Sequence, residues 1–189
     1  MPASAALMVT VGNYTTAAGN SVIAHLSVTN TSSASASDIE GMTFTIQIAD
    51  GNGTTPKITS VDLLNNTIWS GHVTPPSIFP SAGGDQPQYQ SLGLYTDIPG
   101  DYVDANGILA NVTIDTTGAS GGNYSIELVG TKTAGVDSTF LDFIGDTVPA
   151  TFTPGSITVI VPEPSQNALP LLGIFSLFLS RKISLSSAK

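Results

Sequence analysis

The sequence predicts an all-β protein, an antiparallel β-sandwich of about nine strands that is followed by a C-terminal hydrophobic helix of the transmembrane type. Apolar residues recur at every second position through most of residues 7–161, and Asn-Gly and Gly-Gly turns separate the runs. Charged residues make up only 10% of the chain, and no segment of this region has the periodicity of an amphipathic helix. A separate apolar run near the end of the chain predicts the helix.

Each predicted strand is an alternating run with one apolar face and one mixed or polar face. Val22, Ala24, Leu26 and Val28, for example, alternate with Ile23, His25 and Ser27. In chain order the nine predicted strands are residues 7–11, 22–28, 42–48, 58–64, 89–95, 108–114, 124–128, 137–143 and 156–161. Residues 70–87 contain four prolines and three glycines without periodicity, so we expect a binding loop or lid there.

The 189 residues divide into three regions. Residues 1–6 are interpreted as the remnant of a signal peptide, because Ala3-Ser4-Ala5 has the small-x-small form of a cleavage site; an Ala-rich end is the alternative. Residues 7–161 form the β-sandwich domain, and residues 162–189 form a sorting signal. The absence of cysteine excludes disulfides and thiolate metal sites, and the net charge of -9 argues against nucleic-acid binding.

Three features follow the last predicted strand in a fixed order. They are the segment Val161-Pro162-Glu163-Pro164-Ser165, an apolar run over residues 168–179, and the basic pair Arg181-Lys182. As a helix the run is ~18 Å long, so by itself it spans a hydrocarbon core of ~30 Å poorly. Residues 164–180 would give ~25 Å, which can cross with local thinning of the bilayer. The basic pair would remain on the cytoplasmic side. A C-terminal helix packed in the protein core is the alternative interpretation.

These residues resemble the PEP-CTERM sorting signal of exported proteins in Gram-negative bacteria. The family has a Val-Pro-Glu-Pro-Ser motif, an apolar helix and a basic cluster, which match Val161–Ser165, residues 168–179 and Arg181-Lys182. The basic cluster is smaller here, and residues 183–189 are additional. The resemblance implies export, an inner-membrane intermediate held by the C-terminal helix, and cleavage near Pro164 by an exosortase-type membrane peptidase. The expected destination is the cell surface or the extracellular matrix.

The sandwich is similar to cohesin-type modules, a jelly-roll architecture related to bacterial carbohydrate-binding domains. Its landmarks are residues 9–12, 19–22, 41–46, 106–114 and 122–126. Members of that group bind dockerin modules or polysaccharide, so the resemblance implies recognition without naming a ligand. We therefore expect an exported, non-enzymatic surface or matrix protein. The alternative is a recognition module for exopolysaccharide or for a dockerin-type surface protein.

Aromatic side chains near residues 70–87 are the candidates for ligand binding, because sugar rings stack on flat aromatic faces. The candidates are Trp69, Phe79, Tyr89, Tyr95 and Tyr102. A role in the core is the competing interpretation for each, and above all for the single tryptophan.

Acidic residues and amides in one short segment offer the hard oxygen ligands that calcium prefers. They are Asp97, Asp101, Asp104 and Asn106, although we predict no obligatory cofactor. Asp97 with Asp101 or Asp104 could form a glycosidase pair, but the sequence does not give their separation. Neither His25 nor His72 has the sequence context of a zinc site or a catalytic triad. The sequence therefore predicts a protein that is not an enzyme.

Overall fold

The computed structural model describes residues 7–31, 38–80, 86–128, 138–142 and 144–162. These residues contain fifteen strands and one 3₁₀ turn at Pro75–Ser77. The strands are β1 (Leu7–Val11), β2 (Asn13–Ala17), β3 (Ser21–Asn30), β4 (Asp38–Ile39), β5 (Gly41–Ile48), β6 (Lys57–Asp62), β7 (Ile78–Pro80), β8 (Tyr89–Tyr95), β9 (Val103–Asp104), β10 (Gly107–Asp115), β11 (Gly122–Glu127), β12 (Thr139–Leu141), β13 (Thr147–Val148), β14 (Ala150–Thr153) and β15 (Gly155–Ile160). All nine predicted strands are confirmed within a few residues, and the six additional strands are short.

The strands form two sheets that pack face to face, which confirms the sandwich. The five-stranded sheet has the order β14-β1-β3-β10-β6. The eight-stranded sheet has the order β13-β12-β5-β11-β15-β2, with β8 also paired to β5 and β7 paired to β8. A small ladder of β4 and β9 lies apart from both sheets.

Two strand pairs depart from the predicted antiparallel arrangement. β1 pairs with β14, and β2 pairs with β15, and both pairs are parallel. The cause is a change of sheet at Gly12, where the first segment of the chain leaves the five-stranded sheet and joins the eight-stranded sheet beside the last strand. A Cβ atom at Gly155 would collide with the carbonyl oxygens of Gly12 and Val11, so only glycine permits this close approach.

The core fills the space between the two sheets. Ala24, Leu26 and Val28 of β3 are buried on one side, and Phe44 and Ile46 of β5 are buried on the other. Both sets are the apolar faces that the alternation predicts. In β10 a register shift between Ile108 and Ala110 buries Leu109 and turns Ile108 away from the core, an irregularity that the alternation does not reveal.

The segment predicted to be an irregular loop is partly regular. Residues 70–87 include the 3₁₀ turn and β7, which adds an edge strand beside β8. The predicted C-terminal helix lies outside the described residues. In the part of the chain that the structure describes, no helix has the length and apolar character needed to cross a membrane.

Candidate functional site

The two outer faces of the sandwich differ in how far solvent can reach them. At the centre of the eight-stranded sheet, Thr45, Gln47, Tyr89 and Ser91 have at most 1% of their surface exposed, although their side chains point away from the core. On the five-stranded sheet, Ile23 is 52% exposed. The five-stranded sheet therefore has the outer face that a partner can reach at its centre.

Strand register places the outward side chains of this open face in rows across β3, β10 and β6. One row is His25, Asn111 and Asp62, and the next row is Ile23, Thr113 and Ser60. Together with the turn that follows β6, the rows form a shallow depression of about 480 Å³. Its lining residues are Ile23, His25, Ser60, Asp62, Asn65, Asn66, Ile108, Asn111 and Thr113.

Hydrogen bonds hold the polar groups of the depression in place. The Asn111 amide donates from Nδ2 to the Asn65 carbonyl oxygen at 2.9 Å, and its Oδ1 lies 2.6 Å from Nδ1 of His25. The Asp62 carboxylate accepts three hydrogen bonds from the turn, two from Asn65 and one from the Leu64 N–H group. Partial burial acts to raise the pKa of Asp62, but the bonds from Asn65 and Leu64 outweigh it and lower the pKa.

The backbone of His25 is held by a tyrosine hydroxyl at the point where β1 leaves the sheet. The Tyr14 hydroxyl donates to the His25 carbonyl oxygen at 3.0 Å and accepts from the His25 N–H group at 2.7 Å. It thus satisfies two backbone groups that have lost their neighbouring strand. The side chain of His25 is thereby fixed in direction at both its backbone and its ring.

Two of the five aromatic candidates are wrong. Trp69 and Tyr89 are each 0% exposed, so neither ring is available to stack on a ligand. Phe79 lies in β7, and its side chain is outside the described set. Tyr95 and Tyr102 are 47% and 43% exposed, and the stacking role predicted for them stays a prediction.

Tyr95 and Tyr102 flank the segment from Ile39 to Gly41. Tyr95 pairs with Gly41 across β8 and β5, while Tyr102 precedes Val103, the partner of Ile39. The Tyr95 ring occupies the space that a side chain at position 41 would fill. The two rings therefore lie at one end of the sandwich, beside the loop that joins β8 to β9.

The structure does not bring the four calcium candidates together. Asp104 and Asn106 contact each other, since Asp104 accepts from Asn106 Nδ2, and Asn106 Oδ1 accepts from Asn30 N–H. The other two bind elsewhere: the Asp97 carboxylate accepts from Thr74 N–H and Ser77 Oγ, and Asp101 pairs with Nδ1 of His72 at 2.9 Å. Within the described ranges, no three His, Cys, Asp or Glu side chains are grouped so that they could hold a metal ion.

The contacts of Asp97 instead fasten one loop to another. The hydrogen bond from Ser77 and that from the Thr74 backbone lower the pKa of Asp97. His72 adds a second link, because its carbonyl oxygen accepts from the Asp97 N–H group. Asp97, which the sequence suggested as a calcium ligand, therefore connects two loops of the fold.

Only the start of the sorting segment falls within the described residues. Val161 is 52% exposed and follows β15 directly, and Pro162 is the last residue described. Glu163, Pro164, Ser165, Arg181 and Lys182 lie outside, so the predicted signal stays a prediction.

Sequence reasoning missed the polar centre of the open face. The sequence signal for this site was that His25 and Asn111 both lie on the mixed faces of predicted strands. Their contact depends on the register of β3 against β10 and on the turn at Asn65, and neither can be read from one sequence.

No family model matches the chain, and no curated protein matches it either. A type I cohesin, the seventh of ScaB from Pseudobacteroides cellulosolvens, is 17% identical with a TM-score of 0.59, and the match covers 85% of this chain and 96% of that one.

Two further cohesin structures are similar to this chain in fold at low sequence identity. The OlpA cohesin in complex with Doc918 from Clostridium thermocellum is 11% identical with a TM-score of 0.61, over 82% of this chain and 99% of that one. A non-cellulosomal cohesin from the archaeon Archaeoglobus fulgidus is 11% identical with a TM-score of 0.55, over 83% and 93%. The described domain is therefore a cohesin-like β-sandwich, as the sequence landmarks predict.

Proposed function

We propose that this chain is a non-enzymatic protein-recognition module that binds a dockerin-type partner on the outer face of its five-stranded sheet. The observation that carries the proposal is the contrast between the two faces. The centre of one is buried, whereas the other presents Ile23, 52% exposed, beside polar groups that are already fixed by hydrogen bonds. An apolar side chain surrounded by ordered polar groups is typical of the centre of a protein interface.

The structures with a similar fold also support the proposal. Several of the similar structures are cohesins solved in complex with dockerins. Because a fold alone does not determine a function, the proposal depends on the open face and not on the likeness. Fixed polar groups favour binding, since less side-chain entropy is lost when the partner docks.

We further propose that the C-terminal segment delivers this module to the cell surface or extracellular matrix. The parallel pairs place the start of β1 beside Ala150 and the end of β15 beside Ala17, at opposite ends of the sandwich. An exosortase-type peptidase would act on Pro162–Ser165, directly after the exposed Val161.

Calorimetry of the full chain with dockerin modules of the source organism tests the recognition site. We expect Ile23→Asp to weaken binding at least about tenfold, because it places a charge at the centre of the interface. Ile160→Asp is the matched control, since Ile160 is also 52% exposed but lies on the other sheet. Equal losses for both variants, or no binding by any dockerin, would contradict the proposal.

Mass spectrometry of native protein from envelope and secreted fractions tests the sorting. We expect a C terminus near Pro164 in the mature form. An intact Lys189 in every fraction would contradict processing by a peptidase, without affecting the recognition site.

Glycan binding is a second candidate function, and one observation favours it. Tyr95 and Tyr102 are 47% and 43% exposed, and Tyr95 pairs with Gly41, the residue that follows Glu40. The Glu40 carboxylate accepts from the Gly100 N–H group, two residues before Tyr102. Aromatic faces with nearby carboxylates suit a neutral polysaccharide. Affinity electrophoresis in exopolysaccharide gels tests this: retardation that is lost in Tyr95→Ala supports it, and unchanged mobility of the unsubstituted chain excludes it.

A further inference from the structure

Two loops flank the start of β5 at one end of the sandwich. Tyr95, the last residue of β8, and Leu141, the last residue of β12, both pair with Gly41. The loop over residues 96–102 follows β8, and the turn between β12 and β13 follows Leu141, so the two lie on opposite sides of β5. Because neighbouring strands are about 4.8 Å apart, the two loops begin about 10 Å from each other. We call these two loops and the segment 39–41 between them the distal tip.

Glu40 connects the two loops of the distal tip. Its N–H group donates to the Leu141 carbonyl oxygen at 2.9 Å, and its carbonyl oxygen accepts from the Thr96 N–H group at 2.9 Å. Its side-chain Oε1 accepts from the Gly100 N–H group at 3.1 Å. No other described residue donates to this carboxylate, and the side chain is partly exposed. A positioned carboxylate between the loops can therefore accept further hydrogen bonds from a partner.

Each loop of the distal tip presents an isoleucine to solvent. Ile98 and Ile144 are each 65% exposed, more than any other large apolar side chain of the described residues. Both loops are braced: the Ile98 carbonyl oxygen accepts from the Asp101 N–H group at 2.9 Å, and the Ile144 N–H group donates to the Asp142 carboxylate at 3.0 Å. Exposed apolar groups that are gathered at one place mark interaction sites, and ordered loops lose little entropy on binding.

The charge of the distal tip restricts the chemistry of its partner. Acidic residues of the tip and of the adjoining β9 are Glu40, Asp97, Asp101, Asp104, Asp142 and Asp146. Lys57 is the only lysine or arginine in the described ranges, and it pairs with Asp115 at 3.3 Å, at the end of β10 that lies farthest from the tip. The tip therefore attracts a basic partner and repels anionic lipid and nucleic acid.

The distal tip is remote from the point where the chain leaves the sandwich. Ile48, the last residue of β5, pairs with Ile126, and from there β11 runs on to Gly122, which pairs with Val159 near the end of β15. The exposed Val161 thus lies beyond the end of β5 that is opposite Gly41. A partner at the tip does not compete with the C-terminal segment for space.

We propose that the distal tip is a second docking site, which binds a basic segment of another protein through an Arg or Lys on the Glu40 carboxylate and apolar side chains over Ile98 and Ile144. The inference goes beyond the proposed function, because it uses loops at the end of the sandwich and not the outer face of a sheet. A metal cation or a polyamine would leave both isoleucines uncovered. A neutral lipid surface would leave the carboxylate without a counter-charge, so a basic polypeptide with apolar neighbours fits both features.

Two matched peptide arrays test the chemistry of the site on the full chain. One array has short peptides with an Arg between two Leu residues at varied spacing, and the other has Glu in place of the Arg. We expect binding to the Arg array only, with an affinity that falls at least about fivefold when the salt is raised from about 0.05 M to about 0.5 M. Equal binding to both arrays, or binding to neither, would overturn the proposal.

Substitutions locate the peptide on the molecule. Glu40→Gln keeps an acceptor for the Gly100 N–H group and removes only the charge, and it should weaken the best Arg peptide at least about fivefold. Ile98→Ser and Ile144→Ser should each have a similar effect. Ile160→Ser is the matched control, because Ile160 is 52% exposed at the opposite end of the sandwich.

The outcomes separate this inference from the proposed function. A chain that binds no dockerin but binds the Arg peptides through the tip contradicts the proposed function alone. Peptide binding that is weakened as much by Ile160→Ser as by Ile98→Ser, or that is unaffected by Glu40→Gln, overturns this inference and leaves the proposed function standing.

Discussion

Replacing Trp69 by alanine should destabilise the fold strongly and leave the recognition face intact. The side chain is 0% exposed and belongs to the same buried cluster as Leu63, Val73 and Leu109. Burial of about 200 Å² of indole at about 25 cal/mol per Å² corresponds to about 5 kcal/mol, an upper bound because the unfolded chain is itself partly compact. Since measured losses for buried aromatic residues are about 3–5 kcal/mol, we expect a decrease in unfolding free energy of that size.

A second substitution separates packing from hydrogen bonding. The indole Nε1 of Trp69 is buried without a hydrogen-bond partner in the part of the chain that the structure describes. Trp69→Phe therefore loses volume but no hydrogen bond, and it removes a buried donor that is unsatisfied. We expect it to cost less than half as much as Trp69→Ala.

Urea unfolding followed by circular dichroism measures both variants, because tryptophan fluorescence is lost with the residue. Tyr102→Ala is the control, since Tyr102 is an exposed aromatic residue and should change stability by only about 0.5 kcal/mol. A Trp69→Ala protein within about 1 kcal/mol of the unsubstituted chain would refute the assignment of this residue to the core.

Two more predictions concern acid stability and the change of sheet. The pKa of Asp97 is lowered by hydrogen bonds from Ser77 and Thr74, and that of Asp115 is lowered mainly by the backbone of Thr117. A carboxylate whose pKa is lowered in the folded protein stabilises the fold at pH values above its unfolded-state pKa of about 4. The melting midpoint should therefore fall as the pH drops below about 5. A midpoint that is constant from pH 6 to pH 3 would contradict this. Gly155→Ala should reduce the yield of folded protein or lower the melting midpoint by several degrees, because its Cβ would overlap the Gly12 carbonyl oxygen; an unchanged melt would show that the two segments can separate at no cost.

The strands were predictable because alternation is a local signal. Residues 7–11 and 89–95 have the same bounds in the sequence prediction and in the structure, and the apolar face of β3 is the buried one. The short strands β4, β9 and β13 have two residues each, too few for a period to be visible. The parallel pairs were missed because they arise from a change of sheet at Gly12, which is a long-range contact.

The site was less predictable, because exposure of a single aromatic residue is not encoded in its neighbours. Tyr89 and Tyr95 lie on the same face of β8, as the alternation predicts, yet one is buried and the other is 47% exposed. The difference depends on position along the strand, at the centre or at the end of the sandwich. Asp97 and Asp101 were likewise grouped as calcium ligands by their closeness in sequence, but their carboxylates bind separate residues, Ser77 and His72, of the same loop.

The central claim is that a dockerin-type partner occupies the open face of the five-stranded sheet. Amide hydrogen exchange of the full chain, with and without a saturating dockerin, tests it most directly because it maps the contact without any substitution. The account predicts slower exchange at Ile23, His25, Asn111 and Thr113. Protection confined to the loop that carries Tyr102, with none on β3 and β10, would contradict it.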